Sequence, residues 1–318
     1  MTRPYADSMI VRAALLGLAG GQAVKDAVTS APGIADIVRR FAAGDTDDDA
    51  LRATSDLQDD GFDVSLDYLG EDTLDRAQAE QTAGAYARIL SRLADAGLAP
   101  RAEVSVKLSA IGQALPGDGV ALATDNALSI CQAAKDAGTT VTLDMEDHTT
   151  TDLTLATLGA LRADFPTTGA VLQSYLHRTE SDCRDLAVPG SRIRLCKGAY
   201  REPETVAYQT RADIDRSYVR CMKVLLEGQG YPMFATHDDR LVAIAEALTR
   251  RYGRGRDTYE FQMLYGVRRD EQRRLRDAGE TIRVYVPYGT EWYGYLVRRM
   301  AERPANLSLG LRAILDRH

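Results

Sequence analysis

From Phe62 onward, short runs of β-branched and aliphatic residues alternate with longer stretches of helical period, and this alternation limits the folds open to the chain. The short runs are FDVSLD (62–67), EVSVKL (103–108), TVTLDM (140–145), AVLQS (170–174), RIRLCK (192–197), PMFAT (232–236), TYEFQ (258–262) and IRVYV (282–286). Helical candidates lie between them at 72–96, 122–137, 151–163, 205–228, 240–252 and 269–278, and Gly97, Gly138 and Gly279 stand where helices should stop. Eight strands, each followed by a helix, predict an α/β fold: a closed parallel (βα)8 TIM-like barrel. A doubly wound sheet with an appended domain is the rival, but that fold usually carries a Gly-rich GxGxxG turn after its first strand, and none is present. Residues 1–60 hold two or three helical patterns and an acidic loop, Asp45–Asp49. They read as an N-terminal helical arm ahead of a barrel domain over 61–318.

The chain has 318 residues, 45% hydrophobic and 27% charged, a balance that excludes disorder, collagen and coiled coil. Its net charge of −7 argues against a nucleic-acid partner. Cys131, Cys183, Cys196 and Cys221 form no metal-binding spacing and read as reduced thiols, with Cys196 expected to be buried in a strand. The opening stretch MTRPYADSMIVRAALLGLAGG is too short for a membrane span and lacks a convincing cleavage site. A cytoplasmic enzyme is expected, with peripheral contact at the inner membrane face left open.

Barrel enzymes build their sites at the C-terminal ends of the strands. In the expected register those ends carry Asp67 and Glu71, Lys107, Asp144 with Glu146, Asp147 and His148, and Gln173 with Tyr175. Next come Arg194, Lys197 and Tyr200, Thr236 to Asp239, Gln262, and Tyr285. A solvated rim is polar in any case, so a single member means little. Lys107 is harder to dismiss, because an ammonium inside VSVKLSA needs a counter-charge or solvent.

A second constellation lies in YGYLVRRMAE (293–302). On a helix, Tyr295, Arg298, Arg299 and Glu302 fall within an arc of about 100°, which could offer one ring and two guanidinium groups to a carboxylate. The bland reading is a surface helix with an Arg298–Glu302 pair. Tyrosine outnumbers phenylalanine 15 to 5, which favours amphipathic walls around a polar ligand. Asp144, Glu146 and His237 around a divalent metal would instead make a (βα)8 lyase or hydrolase, although no HxH or HExxH spacing supports it. A barrel serving only as a binding module would bring few charged groups together at its mouth.

The stretches VSVKLSAIG (104–112), TLDMED (142–147), VLQSYL (171–176), RLCKGAYREP (194–203) and FATHD (234–238), in this order, resemble the proline dehydrogenase family in its short monofunctional bacterial form. The resemblance continues with YEFQMLYG (259–266), RVYVPYGT (283–290) and YLVRRMAE (295–302). It implies a distorted (βα)8 barrel, non-covalent FAD, and oxidation of L-proline to Δ1-pyrroline-5-carboxylate as the first step of proline catabolism. Electrons would pass to a membrane quinone, and a pyrroline-5-carboxylate dehydrogenase is an implied partner. No metal is implied.

By that resemblance Lys107, Arg298 and Arg299 would bind the substrate carboxylate, with Asp144 beside them balancing Lys107. Tyr200, Leu264, Tyr285 and Tyr295 would wall the ring, and Glu71 would be a gate carboxylate able to pair with Arg298. The catalytic set is then Lys107, Asp144, Tyr285, Arg298 and Arg299. Gln173, Arg194, Lys197, Gly198, Thr236, His237 and Gln262 would contact FAD. Hydride would leave the carbon beside nitrogen for flavin N5, so the amine should be neutral and no strong base is needed at that carbon.

Overall fold

The computed structural model describes residues 40–70, 73, 75–292 and 295. Within them the elements run α1 (Asp47–Asp59), β1 (Asp63–Tyr68), α2 (Arg76–Asp95), β2 (Ala102–Val106), α3 (Gly119–Asp136), β3 (Val141–Leu143), α4 (Thr151–Arg162) and β4 (Gly169–Gln173). They continue with α5 (Thr179–Leu186), β5 (Arg192–Cys196), α6 (Arg211–Glu227), β6 (Tyr231–Ala235), α7 (Asp239–Arg251), β7 (Glu260–Leu264), α8 (Arg269–Asp277) and β8 (Ile282–Tyr288). Each strand pairs in parallel with the next and β8 pairs with β1, closing the barrel predicted from the alternation. The chain leaves α2, α3 and α8 through Gly97, Gly138 and Gly279, all at positive φ, as their positions predict.

Period-two alternation divides each strand between two environments. Val64, Leu66, Val104, Val106, Ile193, Leu195, Phe234, Phe261 and Val284 join the apolar layer between sheet and helices. Residues one position away point inward. Arg194 on β5 reaches Ser65 on β1, Ser105 on β2 and Gln262 on β7, contacts that only the barrel interior permits. The interior of this barrel is therefore polar and charged.

The wall between β8 and β1 is covered by α1, which packs on both strands and on α2. In a regular barrel the helix after β8 takes that place, so the fold is distorted here. A Thr46–Asp49 capping box starts α1, and its buried face is Ala50, Ala53 and Thr54, small enough for close approach. Just before it, Ala43 N donates to Pro287 O and Gly289 N donates to Gly44 O, both at 2.9 Å.

Three local expectations are corrected. Strand β7 lies two residues later than predicted, because Arg256–Thr258 form a 3-10 turn, steadied by Arg254 donating to the carbonyls of Gly228, Gly230 and Thr258. Gln262 consequently sits mid-strand, below the rim. Helix α5 was not expected, since TESDCRDL carries almost no apolar face and buries only Thr179, Asp182 and Cys183. Cys196 is in a strand but only half-buried, whereas Cys131, Cys183 and Cys221 are buried; all four are free thiols.

Candidate active site

Lys107, Asp144, Lys197 and Thr236 each stand one residue beyond the end of their strand, so strand termination itself places them at the mouth. The counter-charge Lys107 needs is Asp67, with Nζ 2.7 Å from Oδ2, and Asp144 Oδ2 is further off at 3.8 Å. Asp144 is thus a secondary neighbour of Lys107 rather than its chief balance. Its own oxygens are closely held: Oδ1 accepts from Ser105 Oγ and Arg194 Nη1, both at 2.7 Å, and Oδ2 accepts from Tyr285 Oη at 2.6 Å. Burial pushes the Asp67 carboxyl up against the opposing pull of Lys107, with the charge of Asp144 adding to the rise. Burial and the same two carboxylates push the Tyr285 phenol well above its ordinary value, so it remains a donor.

Arg194 is only 5% exposed and each of its five N–H groups has a protein acceptor. Nε donates to Gln262 Oε1, Nη1 to Ser105 Oγ and Asp144, and Nη2 to Ser65 Oγ and Glu103 Oε1. Its guanidinium also lies 5.3 Å from the centre of the Tyr285 ring. Gln262 Nε2 in turn donates to Glu260 and to Met233 Sδ.

Below this cluster lies a second charged layer. Glu103 Oε2 accepts from Arg192 Nη1 at 2.6 Å, and Glu260 accepts from Arg283 Nε at 2.8 Å and Nη2 at 3.1 Å. Burial raises the Glu103 carboxyl, but Arg192, Arg283 and Arg194 outweigh it and hold the group down at about 2, against an ordinary 4.5. A depressed carboxyl contributes stability that is fully present above pH 4.5 and is lost as pH falls towards 2, on the order of 3 kcal/mol. Urea unfolding between pH 6 and pH 3 should show this loss, and Glu103→Gln should flatten the profile; an unchanged slope would count against it.

The loop after β5 is strapped to its neighbours. Gly198, at φ +107, lies against the Tyr175 ring so closely that a Cβ would stand 2.3 Å from Cε1. The Tyr175 hydroxyl meets the Tyr200 main chain and donates to Glu202 Oε1 at 3.2 Å. Buried Glu202 also accepts from the backbone N and ring Nδ1 of His148 on the loop after β3. Tyr208 N donates to Tyr175 O at 2.8 Å, completing the strap. Half-buried Tyr200 is fixed by these contacts.

Lys197 Nζ sits between Asp215 Oδ1 at 2.5 Å and Asp238 Oδ2 at 3.1 Å. Arg211 joins Asp238 at 2.8 Å and Arg240 joins Asp215 at 3.0 Å, at the first turns of α6 and α7. Three cations and two carboxylates leave one positive charge over. His237 Nε2 accepts from Leu264 N at 2.9 Å, placing the neutral-ring proton on Nδ1 and pinning the loop after β6 to the end of β7. Asp238 N donates to Thr236 Oγ1, and Gln173 Nε2 donates to Glu146 O at 2.7 Å.

The structure thus joins Lys107, Asp144, Tyr285, Arg194 and Gln262 in one connected network, and places Lys197 with Gly198, and His237 with Leu264, at adjoining strand ends. Tyr295 is buried. Glu71, Arg298 and Arg299 lie outside the described residues. Sequence reasoning missed the Asp67–Lys107 pair, Glu202 with His148, and the layer of Glu103, Arg192, Glu260 and Arg283. The signal for that layer was present in RIRLCK, YEFQML and IRVYV, where charged or polar residues alternate with apolar ones. The proposed metal ligands do not converge: Asp144 is held by Arg194, Ser105 and Tyr285, Glu146 accepts from Ser109 N and Oγ, and His237 faces β7. Among the described residues no group of three or more His, Cys, Asp or Glu side chains could hold a metal.

Charge gathered this densely at the C-terminal rim of a parallel barrel marks a catalytic (βα)8 barrel. The sequence profile of the proline dehydrogenase family matches residues 50–310. Proline dehydrogenase of Deinococcus radiodurans is 40% identical over 88% of this chain and 90% of its own length, and proline dehydrogenase 1 of Bacillus subtilis is 36% identical over 88% and 91%. The chain belongs to the proline dehydrogenase family. Among solved structures, proline utilization A (PutA) from Bdellovibrio bacteriovorus, inactivated by N-propargylglycine, superposes with a TM-score of 0.77 at 26% identity. That match covers 84% of this chain, which spans about a third (32%) of the length of the PutA chain.

Proposed function

We propose that the chain oxidises L-proline to Δ1-pyrroline-5-carboxylate, with FAD as the cofactor and a membrane quinone as the electron acceptor. The network of Lys107, Asp144, Tyr285 and Arg194 at the mouth is the observation that carries this reading. Residues 61–318 would hold the catalytic barrel, and residues 1–60 would serve as its N-terminal arm.

The donor set fits a flavin dinucleotide. The surplus positive charge around Lys197, beside the first turns of α6 and α7, suits a pyrophosphate. Lys197 and Gly198 would hold that end, with Gln173, Thr236 and His237 along the cofactor and Gln262 behind Arg194. Arg194 has its donors already engaged and would face the flavin as a fixed positive charge. When bound, the flavin supplies the hydride acceptor.

The chain's own residues then bind and orient. Lys107, with Arg298 and Arg299, would grip the proline carboxylate, and Glu71 would close over the site by pairing with Arg298. Asp67 and Asp144 keep the ammonium of Lys107 aimed at the mouth. Tyr285, Leu264, Tyr200 and Tyr295 would wall the ring, exclude water and hold the neutral amine in one orientation. The product is a cyclic imine, and we assign its consumption to a pyrroline-5-carboxylate dehydrogenase.

Among the described residues no helix is long and apolar enough to cross a membrane. A cytoplasmic protein making peripheral contact with the inner membrane face would be one way to reach the quinone. Purified protein should be yellow, and its visible absorbance should bleach when L-proline is added without oxygen. Protein that cannot be reconstituted with FAD, or whose flavin ignores proline, would overturn the reading.

A further inference from the structure

The lower charged layer lies beneath the proposed substrate site but meets it at one point. Glu103 Oε1 is 3.4 Å from Arg194 Nη2, while Asp144 occupies the other terminal nitrogen. Among the described interior residues each layer is balanced: Glu103 and Glu260 face Arg192 and Arg283, and Asp67 and Asp144 face Lys107 and Arg194. Removing any one of these groups leaves an uncompensated charge where little water screens it.

We infer that Glu103, a positioning residue that touches neither substrate nor cofactor, sets the reduction potential of the flavin through Arg194. The inference rests on the flavin reading above. A reduced flavin carries more negative charge than an oxidised one, so a net positive interior favours electron uptake and a net negative one opposes it. Glu103→Gln keeps the size of the side chain and an oxygen for Arg194 and Thr142, yet removes a negative charge from beneath the site. Arg192→Gln removes the positive charge paired with that same carboxylate. The two substitutions should therefore act in opposite directions, whereas loosening of the fold would move both the same way.

The test is the flavin midpoint potential of the purified holoenzymes, titrated spectroscopically against a reference dye. Glu103→Gln should raise the potential and Arg192→Gln should lower it. Each should change the oxidised-to-reduced ratio at a fixed potential on the order of tenfold, the scale of one unit charge acting over about 12 Å at an effective dielectric of about 20. Glu103→Asp keeps the charge and should stay near the parent. If Glu103→Gln does not fold, the Arg192→Gln shift decides, and an unchanged or raised potential there overturns the inference. Glu103→Gln that holds its flavin at the parent potential, or a shift of both variants in one direction, overturns it as well. A parent enzyme that bleaches with proline while its variants show no shift rejects this inference alone, whereas a parent that takes up no flavin rejects the functional reading on which it rests.

Discussion

Replacing Asp144 with alanine is expected to lower kcat/KM for proline by at least about 100-fold, the cost of a misplacement on the order of 1 Å at a reacting centre. Three groups lose an acceptor at once: the hydroxyl of Ser105, the guanidinium of Arg194 and the phenol of Tyr285. Breaking a buried ion pair by removing one partner typically destabilises by about 3–5 kcal/mol, so the melting temperature should fall as well. Asp144→Asn separates the two effects. With its one oxygen towards Arg194 and Ser105 the amide still accepts from both, while its NH2 faces the Tyr285 hydroxyl, which must then accept. The shape is kept but the charge no longer offsets the arginine, so the fold should recover more than the activity does. Equal recovery of both would assign Asp144 a purely structural role.

The second large effect is expected at Gly198. Any side chain there faces both a φ of +107°, which L residues rarely adopt, and a Tyr175 ring already within 2.3 Å of where Cβ would stand. Backbone strain of about 1–3 kcal/mol and overpacking of about 1–3 kcal/mol act together. Gly198→Val should therefore release the loop that carries Lys197, Tyr200 and Glu202. Flavin content should drop and limited proteolysis should cut between residues 197 and 210, while the barrel itself stays folded. A variant with full flavin content and parental protease resistance would show that the loop does not depend on this contact.

Much of the fold was legible because period-two strands and helical stretches alternate eight times. What the alternation leaves open is which face of a strand meets water. Arg192-Ile193-Arg194-Leu195 reads as a strand with one polar side, and in an open sheet that side would be solvated. Closure of the barrel turns it inward, so half-buried Arg192 and buried Arg194 become cations that need Glu103 and Asp144.

Lys107 could be singled out from its apolar neighbours, but its partner could not. Asp67 is 40 positions away in the chain, and the two meet because Asp67 pairs with Ser105 in register, two residues before Lys107. Glu202 and His148 escaped for a similar reason, since loops after β5 and β3 come together only through the strands that carry them. The shift of β7 has a local cause, a 3-10 turn and the carbonyl cluster around Arg254, which hydrophobic period does not report.

The placement of α1 bears on how the molecule is made. Its seat is the seam between the first strand and the last, and the segment just before it is tied to Pro287 and Gly289. On a ribosome the helix emerges early, yet the β8 side of its docking surface does not exist until more than two hundred further residues have been added. Contacts this distant in sequence slow folding. The small apolar face of α1 must wait in water or in the keeping of a chaperone, and the ring closes only when the last strand reaches the first.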